Sequence, residues 1–283
     1  MKKTGLVLEG GGFRGIYTAG VLDILMDEGI NFDGVIGVSA GAIHGCSFVS
    51  GQRGRSIRYY RKYCGDPRMM SIRNWLKTGN AVDTDFCYHQ LPEVLDVYDN
   101  EAFKKSPTDF YVTCTELETG RAEYIRLDDM IAQVDYLRAS ASLPYFSQIV
   151  ELNGKKYLDG GCSDSVPLEA FEKLGYERNV VVLTQPAGYR KKPEMQFLAK
   201  TVYRKYPDFC KALLNRHDDY NRLMDFLEER QRQGRIFIIR PSEKLDIKRV
   251  ENDVNKVQKA YDLGNANAEA AMAELKAWLA EGE

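Results

Sequence analysis

Gly37-Val38-Ser39-Ala40-Gly41 is the stretch of this chain from which its fold can be worked out. The apolar run 35–38 leads into it and predicts a strand, and the helix-compatible run 40–50 follows it. A strand that turns sharply into a helix with serine at the apex is a nucleophile elbow, in which the turn lifts the hydroxyl clear of the sheet. Gly37 and Gly41 let neighbouring backbone pass without a Cβ clash. Ser39 is therefore the candidate nucleophile.

A glycine loop, Gly10-Gly11-Gly12-Phe13-Arg14-Gly15, stands one strand earlier in the chain. The apolar run 4–8 predicts a buried strand that ends at this loop, and 17–25 has its apolar residues at helical spacing. The first 50 residues therefore alternate strand and helix, which predicts a parallel sheet. Ligands bind at the carboxyl edge of such a sheet. Ser39 should face the loop there, and the N–H groups of Gly10 to Gly12 are candidate oxyanion donors.

The rest of the chain continues the alternation and then becomes mainly helical. Asn153-Gly154 predicts a type I′ hairpin turn whose second strand leads to Asp159-Gly160-Gly161. Strands are expected at 109–115, 122–127, 147–152, 155–158, 180–183 and 236–239, and helices at 129–138, 167–174, 199–214, 218–233, 250–263 and 266–279. We expect residues 1–190 to form the catalytic part and residues 191–283 to be a mainly helical extension packed on the same domain.

Composition narrows the class of protein. The chain has 283 residues, of which 44% are hydrophobic, enough for a sizeable core. We find no apolar run of about 18 residues and no apolar N-terminal run long enough for a signal peptide. The six cysteines are scattered and fit free thiols in a reducing compartment, so we expect a cytoplasmic protein. A net charge of -2 gives no reason to expect a nucleic-acid partner.

Residues 52–77 differ in charge from the rest of the chain. Eight Lys or Arg residues stand there against a single acid, Asp66, and aromatic residues are interleaved with them. One interpretation is a pair of solvated helices whose long side chains cover apolar surface. The other is a lid or a surface for anionic lipid headgroups, which would bring the protein to the membrane periphery. The sequence leaves both open.

The general base is harder to find, because none of the three histidines is placed for the role. His44 lies on the helix after Ser39 and should point away from the elbow, His89 is in an irregular polar segment, and His217 is expected to be exposed. In an ordinary α/β-hydrolase the elbow also follows a mid-sheet strand, whereas here it follows the second strand.

Three blocks taken together resemble a known family. Gly10 to Gly15, Gly37 to Gly41 and Asp159-Gly160-Gly161 occur in the order found in the patatin-like phospholipases, and the resemblance covers about residues 5 to 175. The stretch 139–146, ASASLPYF, is also similar to that family. The resemblance implies an α/β three-layer sandwich with a mostly parallel central sheet.

The same resemblance implies a mechanism and a set of site residues. The family uses a serine–aspartate dyad without histidine, so Ser39 becomes the nucleophile and Asp159 the base. The amides around Gly11 and Gly12 become the oxyanion hole, and Arg14 takes a basic position that either neutralises charge near the hole or pairs structurally. No metal or organic cofactor is implied, and the substrate is a phospholipid, lysophospholipid or acylglycerol ester.

Two other functions remain as alternatives. One is a catalytically idle lipid-binding module on the same fold. The other is a dinucleotide-binding oxidoreductase, because Gly10-x-Gly12-x-x-Gly15 follows a predicted strand and opens a predicted helix. That fingerprint also needs an acid at the end of the second strand, and Asp33 precedes the strand instead.

Overall fold

An eight-stranded mixed sheet forms the centre of the molecule in the computed structural model, which describes residues 2–193 and 196–281. The strand order is β5-β6-β3-β2-β1-β7-β8, and β4 pairs with β3 beside this path. The strands are β1 (Lys3–Leu8), β2 (Gly34–Val38), β3 (Asp109–Glu116), β4 (Ala122–Leu127), β5 (Val150–Leu152), β6 (Lys155–Asp159), β7 (Tyr176–Val182) and β8 (Ile236–Ile239). Five of them, β1, β2, β3, β7 and β8, run parallel to their neighbours in this group.

Helices cover both faces of the sheet. They are α1 (Ile16–Asp27), α2 (Ala40–Val49), α3 (Arg55–Tyr63), α4 (Ile72–Thr78), α5 (Asn100–Lys105), α6 (Val134–Ser140), α7 (Leu168–Lys173), α8 (Gln196–Val202), α9 (Pro207–Arg232) and α10 (Val254–Ala280). A π-helical segment spans Phe86–Leu95, and 3₁₀ turns lie at Gly12–Gly15 and Gly160–Cys162.

Alternation along the buried strands explains the three layers. Leu6 and Leu8 of β1 face one core, with α1, α2 and α10, whereas Val7 faces the other, with α7 and α9. Successive strand residues point to opposite faces, so a fully buried strand supplies both cores. The result is the α/β three-layer sandwich with a mostly parallel sheet that the resemblance implied.

The C-terminal part contacts the N-terminal part through a strand and a helix. β8 extends the sheet next to β7, and α10 packs along α1. The two helices approach closely because each has a glycine at the crossing: a Cβ on Gly20 would lie 2.2 Å from the Tyr261 carbonyl oxygen, and one on Gly264 would lie 2.2 Å from the Tyr17 carbonyl oxygen. The Tyr261 hydroxyl also donates to Asp23 at 2.5 Å.

The predicted boundaries need correction mainly among the helices. The helix expected at 129–138 begins at Val134. The pair expected at 199–214 and 218–233 breaks earlier, because Pro207 can begin a helix but cannot continue one, and α9 then runs unbroken past His217.

The pair expected at 250–263 and 266–279 is one continuous helix, α10. Gly264 lies between the two expected helices, but in the structure it is inside α10, where it contacts α1. The hairpin turn was predicted correctly, since Asn153 and Gly154 have φ values of 50° and 78°.

Candidate active site

Ser39 lies between β2 and α2 in a backbone conformation that non-glycine residues rarely adopt, with φ 53° and ψ -120°. Its amide donates to the hydroxyl of Ser140 at 2.9 Å, and that hydroxyl donates to the Thr113 carbonyl at 2.7 Å. Close backbone packing needs the neighbouring glycines: a Cβ on Gly41 would lie 2.5 Å from the Leu8 carbonyl oxygen, and one on Gly37 would lie 2.5 Å from the Ala42 nitrogen. The elbow is thus a strained turn held by its surroundings.

The glycine loop runs beside this turn, as the parallel pairing of β1 with β2 requires. A Cβ on Gly10 would lie 3.1 Å from the Val38 carbonyl oxygen and 3.3 Å from the Ser39 Cβ. Gly12 has a positive φ of 57° and no space for a side chain. Gly15 brings the start of α1 against α2, since its Cβ would lie 2.5 Å from that of Ala40.

Glu9 fixes the entrance of the loop. Its buried carboxylate accepts hydrogen bonds from the Thr184 amide at 2.6 Å, the Thr184 hydroxyl at 3.1 Å and the Tyr220 hydroxyl at 2.8 Å. Thr184 also packs on Gly11, where a Cβ would lie 2.9 Å from its hydroxyl. The loop is therefore held by the segment just after β7 and by α9.

Asp159 ends β6 and is only 3% exposed. Its Oδ1 accepts from the Gly161 amide at 2.8 Å, while its buried Oδ2 has no hydrogen-bond partner among residues 2–193 and 196–281. Burial raises the pKa of the carboxyl, and the charge of Arg216 and the nearby Ser39 hydroxyl lower it in part. Ser39 and Asp159 are therefore neighbours, although they form no hydrogen bond of ordinary geometry.

The register of β3 explains why residues 120 positions apart meet. β2 pairs in parallel with β3 up to Val38 opposite Thr113, and β6 pairs antiparallel with β3 down to Asp159 opposite Cys114. Since β4 occupies the other edge of β3, β2 and β6 lie end to end on one edge with their carboxyl ends facing. Gly160 closes this junction, because a Cβ there would lie 2.1 Å from the Thr113 carbonyl oxygen.

The stretch 139–146 supports both halves of the site. Ser140 holds the Ser39 amide, and the Ser142 carbonyl accepts from the Asp159 amide at 2.8 Å. Thr115 adds a hydroxyl that donates to the Asp159 carbonyl at 2.9 Å. The sequence marked this stretch only through the family resemblance; its small polar side chains gave no indication of which backbone groups they would bind.

The three histidines lie outside the cavity that Ser39 and Asp159 line. Burial lowers the pKa of His44 to about 3, and its Nδ1 pairs with the Ser56 hydroxyl at 2.9 Å. His89 is exposed and lies 3.1 Å from Glu93. His217, expected to be exposed, is instead partly buried on α9.

Three cavities meet near Ser39, and Leu143 lines all of them. An apolar cavity of about 140 Å³ extends from Ser39 towards Ile43, Tyr60, Met69 and Leu137. A polar cavity of about 40 Å³ contains Gly10, Gly11, Gly12, Ser39 and Asp159. A wider, outer cavity of about 350 Å³ is lined by Trp75, Phe146 and Val250 among others. This arrangement gives a hydroxyl, a carboxyl and backbone amides a shared polar space beside an apolar one.

Arg14, Arg216, Arg249 and Lys191 also line the polar cavity. Burial and the positive charge of Arg249 lower the pKa of Arg14. Sequence reasoning selected Arg14 but missed the other three, which are far away in the chain and lie in segments that show no motif.

Asp33 lies away from this site. It accepts from the Thr4 amide at 2.7 Å, at the amino ends of β1 and β2 and so at the opposite edge of the sheet from the glycine loop. The acid that a dinucleotide fingerprint needs at the end of β2 is therefore not supplied by Asp33.

Comparison with known proteins identifies the family. The model of the family described as patatin-like phospholipase matches residues 6–172, and a domain of unknown function, DUF6363, matches residues 206–280. The chain belongs to the patatin-like phospholipase family. This membership supports hydrolysis of lipid esters as its general activity.

Individual relatives differ in how much of their length the chain spans. It is 29% identical to the uncharacterized protein YjjU of Escherichia coli K12 over 92% of this chain and 74% of that protein. It is also 29% identical to lysophospholipase nte1 of Aspergillus niger, over 62% of this chain and only 11% of that protein. Among solved structures, VipD from Legionella pneumophila aligns over 95% of this chain and 67% of its own, with a TM-score of 0.40 and 13% identity.

Two features are absent from the described part of the chain. None of its helices is both long and apolar enough to cross a bilayer. No group of three or more His, Cys, Asp or Glu side chains there is placed to hold a metal ion.

Proposed function

We propose that the protein is a lipid acyl hydrolase that cleaves carboxylic esters through Ser39 and Asp159. The observation that supports this most is the meeting of a strained serine elbow, a glycine loop and a buried carboxyl oxygen at the mouth of an apolar cavity. That oxygen has no hydrogen-bond partner in the part of the chain that the structure describes. Membership of the patatin-like phospholipase family points the same way. We assign this machinery to residues 1–190 and treat 191–283 as an extension of the same domain.

The reaction follows from the positions of these groups. The Asp159 carboxylate takes the proton of the Ser39 hydroxyl as its oxygen attacks the ester carbonyl. Amides of Gly10 to Gly12 stabilise the oxyanion, at about 3–4 kcal/mol for a good donor. The acyl chain occupies the apolar cavity, the alcohol leaves with the proton, and a water activated by Asp159 releases the acyl group. Burial makes Asp159 a stronger base than an aspartate in water.

Hydrolysis of p-nitrophenyl butyrate tests the dyad. We expect Ser39→Ala and Asp159→Asn each to lower kcat by at least about a thousandfold. Ser47→Ala and Asp164→Asn are matched controls, because Ser47 is buried, Asp164 is partly buried, and neither lines any of the three cavities. They should stay within about threefold of the parent protein, which is the scatter of a substitution outside a site. Parent-like rates in both dyad variants would end the assignment.

We further propose that part of the segment 52–77 contacts anionic membranes. Basic residues in its first half form ion pairs with acidic residues of this chain: Arg53 pairs with Asp27 at 2.8 Å, and Arg58 pairs with Asp96 at 2.7 Å. In its second half, α4 exposes 75% of both Ile72 and Leu76 at the outer cavity's side of the molecule. The contact is thus assigned to α4, with Arg73 and Lys77 interleaved between its apolar residues.

Vesicle co-sedimentation tests this contact. Vesicles of anionic lipid should bind more protein than vesicles of phosphatidylcholine, and salt should weaken the binding. The double variant Ile72→Ser and Leu76→Ser should lose it, while Val94→Ser, equally exposed on the π-helical segment, should keep it. Equal binding to both vesicle types at low salt would contradict the proposal. Vesicle binding without ester hydrolysis would favour the idle lipid-binding module instead.

A further inference from the structure

Four basic side chains surround the polar cavity next to Ser39. They are Arg14, Lys191, Arg216 and Arg249, and the acidic residues that line the same cavity are Glu9 and Asp159. Arg216 lies on α9, and Arg249 lies in the loop before α10, so both belong to residues 206–280, which match a domain of unknown function. The C-terminal extension therefore adds positive charge to a site whose Ser39 and Asp159 lie in the patatin-like part.

Two of these residues are fixed against the catalytic loops. The Nε of Arg216 donates to the carbonyl of Gly161, two residues after Asp159, at 2.6 Å. The Arg249 carbonyl accepts from the Phe13 amide at 3.2 Å and leaves no space for a Cβ on Gly12. The first contact fixes the Arg216 guanidinium group beside the elbow, and the second fixes the backbone of Arg249 against the glycine loop. Both residues line the polar cavity.

Two residues of α9, Asn221 and Tyr220, contact Lys191. Asn221 accepts from its amide at 2.8 Å and donates to its carbonyl at 3.1 Å, and its ammonium lies 3.9 Å from the ring centroid of Tyr220. Positive charge is thus placed around the cavity by the 3₁₀ turn at Gly12–Gly15, by α9 and by two loops.

Arg14 is the member of this group with an unfilled hydrogen-bonding position among the described residues. Its pKa is lowered by burial and by the positive charge of Arg249, and its buried Nε has no hydrogen-bond partner among the residues described. An anion between the two guanidinium groups would remove this repulsion and supply the acceptor that Arg14 lacks. Guanidinium groups bind phosphate oxygens through paired, charge-assisted hydrogen bonds.

The positions of the cavities indicate on which side of the scissile ester bond this anion would lie. With the ester carbonyl at Ser39, the acyl chain extends into the apolar cavity and the alcohol part enters the cationic one. A volume of about 40 Å³ holds roughly three waters, which suits a compact group rather than a large headgroup.

We propose that Arg14, Arg216 and Arg249 bind a phosphate on the alcohol part of the substrate, so that residues 206–280 confer specificity. The inference rests on the proposed acyl hydrolase function and narrows its substrate class to phosphate-bearing glycerol esters with a small headgroup. Arg216 and Arg249 are then specificity-determining residues, distinct from the dyad.

Kinetics with two matched lipids test the specificity. Oleoyl lysophosphatidic acid and monooleoylglycerol carry the same acyl ester and differ in the phosphate. The parent protein should have the higher kcat/KM on the phosphate-bearing lipid, mainly through KM. Arg216→Gln and Arg249→Gln should each lower the ratio of the two kcat/KM values by about tenfold or more.

The ratio separates phosphate binding from a structural role. A variant that merely disturbs Asp159 would slow both lipids equally and leave the ratio unchanged, which would overturn the proposal. Arg222→Gln on the same helix is the control, since Arg222 is exposed and pairs with Asp219; its ratio should equal that of the parent. Equal kcat/KM on both lipids in the parent protein would also overturn the proposal.

Binding without turnover keeps this test independent of the proposed activity. Calorimetry with the Ser39→Ala protein should show binding of glycerol 3-phosphate, weaker by about tenfold or more when Arg216→Gln is added, and no binding of glycerol. Absence of hydrolysis with intact glycerol 3-phosphate binding would refute the acyl hydrolase and keep the anion site. Hydrolysis without that binding would refute the anion site alone. Binding of inorganic phosphate with an unchanged lipid ratio would make free phosphate the ligand and refute the headgroup assignment.

Discussion

Removing the Ser140 hydroxyl should destabilise the elbow more than any comparable deletion in the same stretch. Ser140 is fully buried and links two backbone groups from distant strands, the Ser39 amide at 2.9 Å and the Thr113 carbonyl at 2.7 Å. A buried amide left unsatisfied costs about 1–3 kcal/mol, and the lost hydrogen bond to the carbonyl adds about 1 kcal/mol. Ser140→Ala should therefore lower the free energy of unfolding by about 2–4 kcal/mol.

The same substitution should affect the conformation of Ser39. A non-glycine residue with positive φ costs about 1–3 kcal/mol and persists only when its surroundings hold it. Without its acceptor, the Ser39 amide is free to leave this conformation. We expect kcat for p-nitrophenyl butyrate to fall, with a smaller change in KM, because the apolar cavity is unaltered.

Ser142→Ala provides the matched control for denaturant titration. The Ser142 hydroxyl donates only to the Arg138 carbonyl, at 2.8 Å near the end of α6, while its backbone carbonyl keeps the contact with Asp159. Its loss should cost about 1 kcal/mol. If Ser140→Ala unfolds within about 0.5 kcal/mol of the parent protein, or if Ser142→Ala loses as much, the reasoning about the shared hydroxyl is refuted.

Three further predictions rest on separate contacts. Asp96→Ala leaves the buried Arg55 without its carboxylate and should cost about 3–5 kcal/mol by denaturant titration, so a loss under about 1 kcal/mol would contradict it. Ser39→Gly should be more stable than Ser39→Ala by roughly 1–2 kcal/mol, since glycine adopts the elbow conformation without strain; equal melting curves would argue against strain. Arg216→Gln should move the acidic limb of kcat/KM for p-nitrophenyl butyrate to higher pH, because loss of the positive charge raises the pKa of Asp159, which must be ionised to accept a proton. An acidic limb at unchanged or lower pH would contradict this last prediction.

Elements whose pattern is local were predicted well from the sequence. The buried strands around the elbow and the glycine loop were found because their apolar runs and glycines act within a few residues. The hairpin at Asn153-Gly154 follows from the same kind of local sterics. The continuous course of α10 was not predictable in this way, because Gly264 is set by its contact with Tyr17 on another helix.

Segment 52–77 shows that sequence-based prediction from charge has the same limit, since it cannot include contacts with distant elements. Its basic residues were compatible with a pair of solvated helices and with a lid or surface for anionic lipid headgroups. In the structure Arg55 is buried against Asp96, while α4 exposes apolar side chains. A count of charges carries no information on which of them meet a partner from another element.

The sequence by itself determined the strand-turn-helix of the elbow, the glycine loop before it and, through the resemblance, the choice of Asp159. Steric limits on glycine and the periodicity of apolar residues suffice for such local features. Only the tertiary structure decided that β2 and β6 meet on one edge of β3, that Ser140 holds the elbow amide, and that Arg216 and Arg249 reach the same cavity. These arrangements depend on strand register and helix packing between residues that are about 100 or more positions apart, and such long-range pairings leave no periodic pattern in the chain.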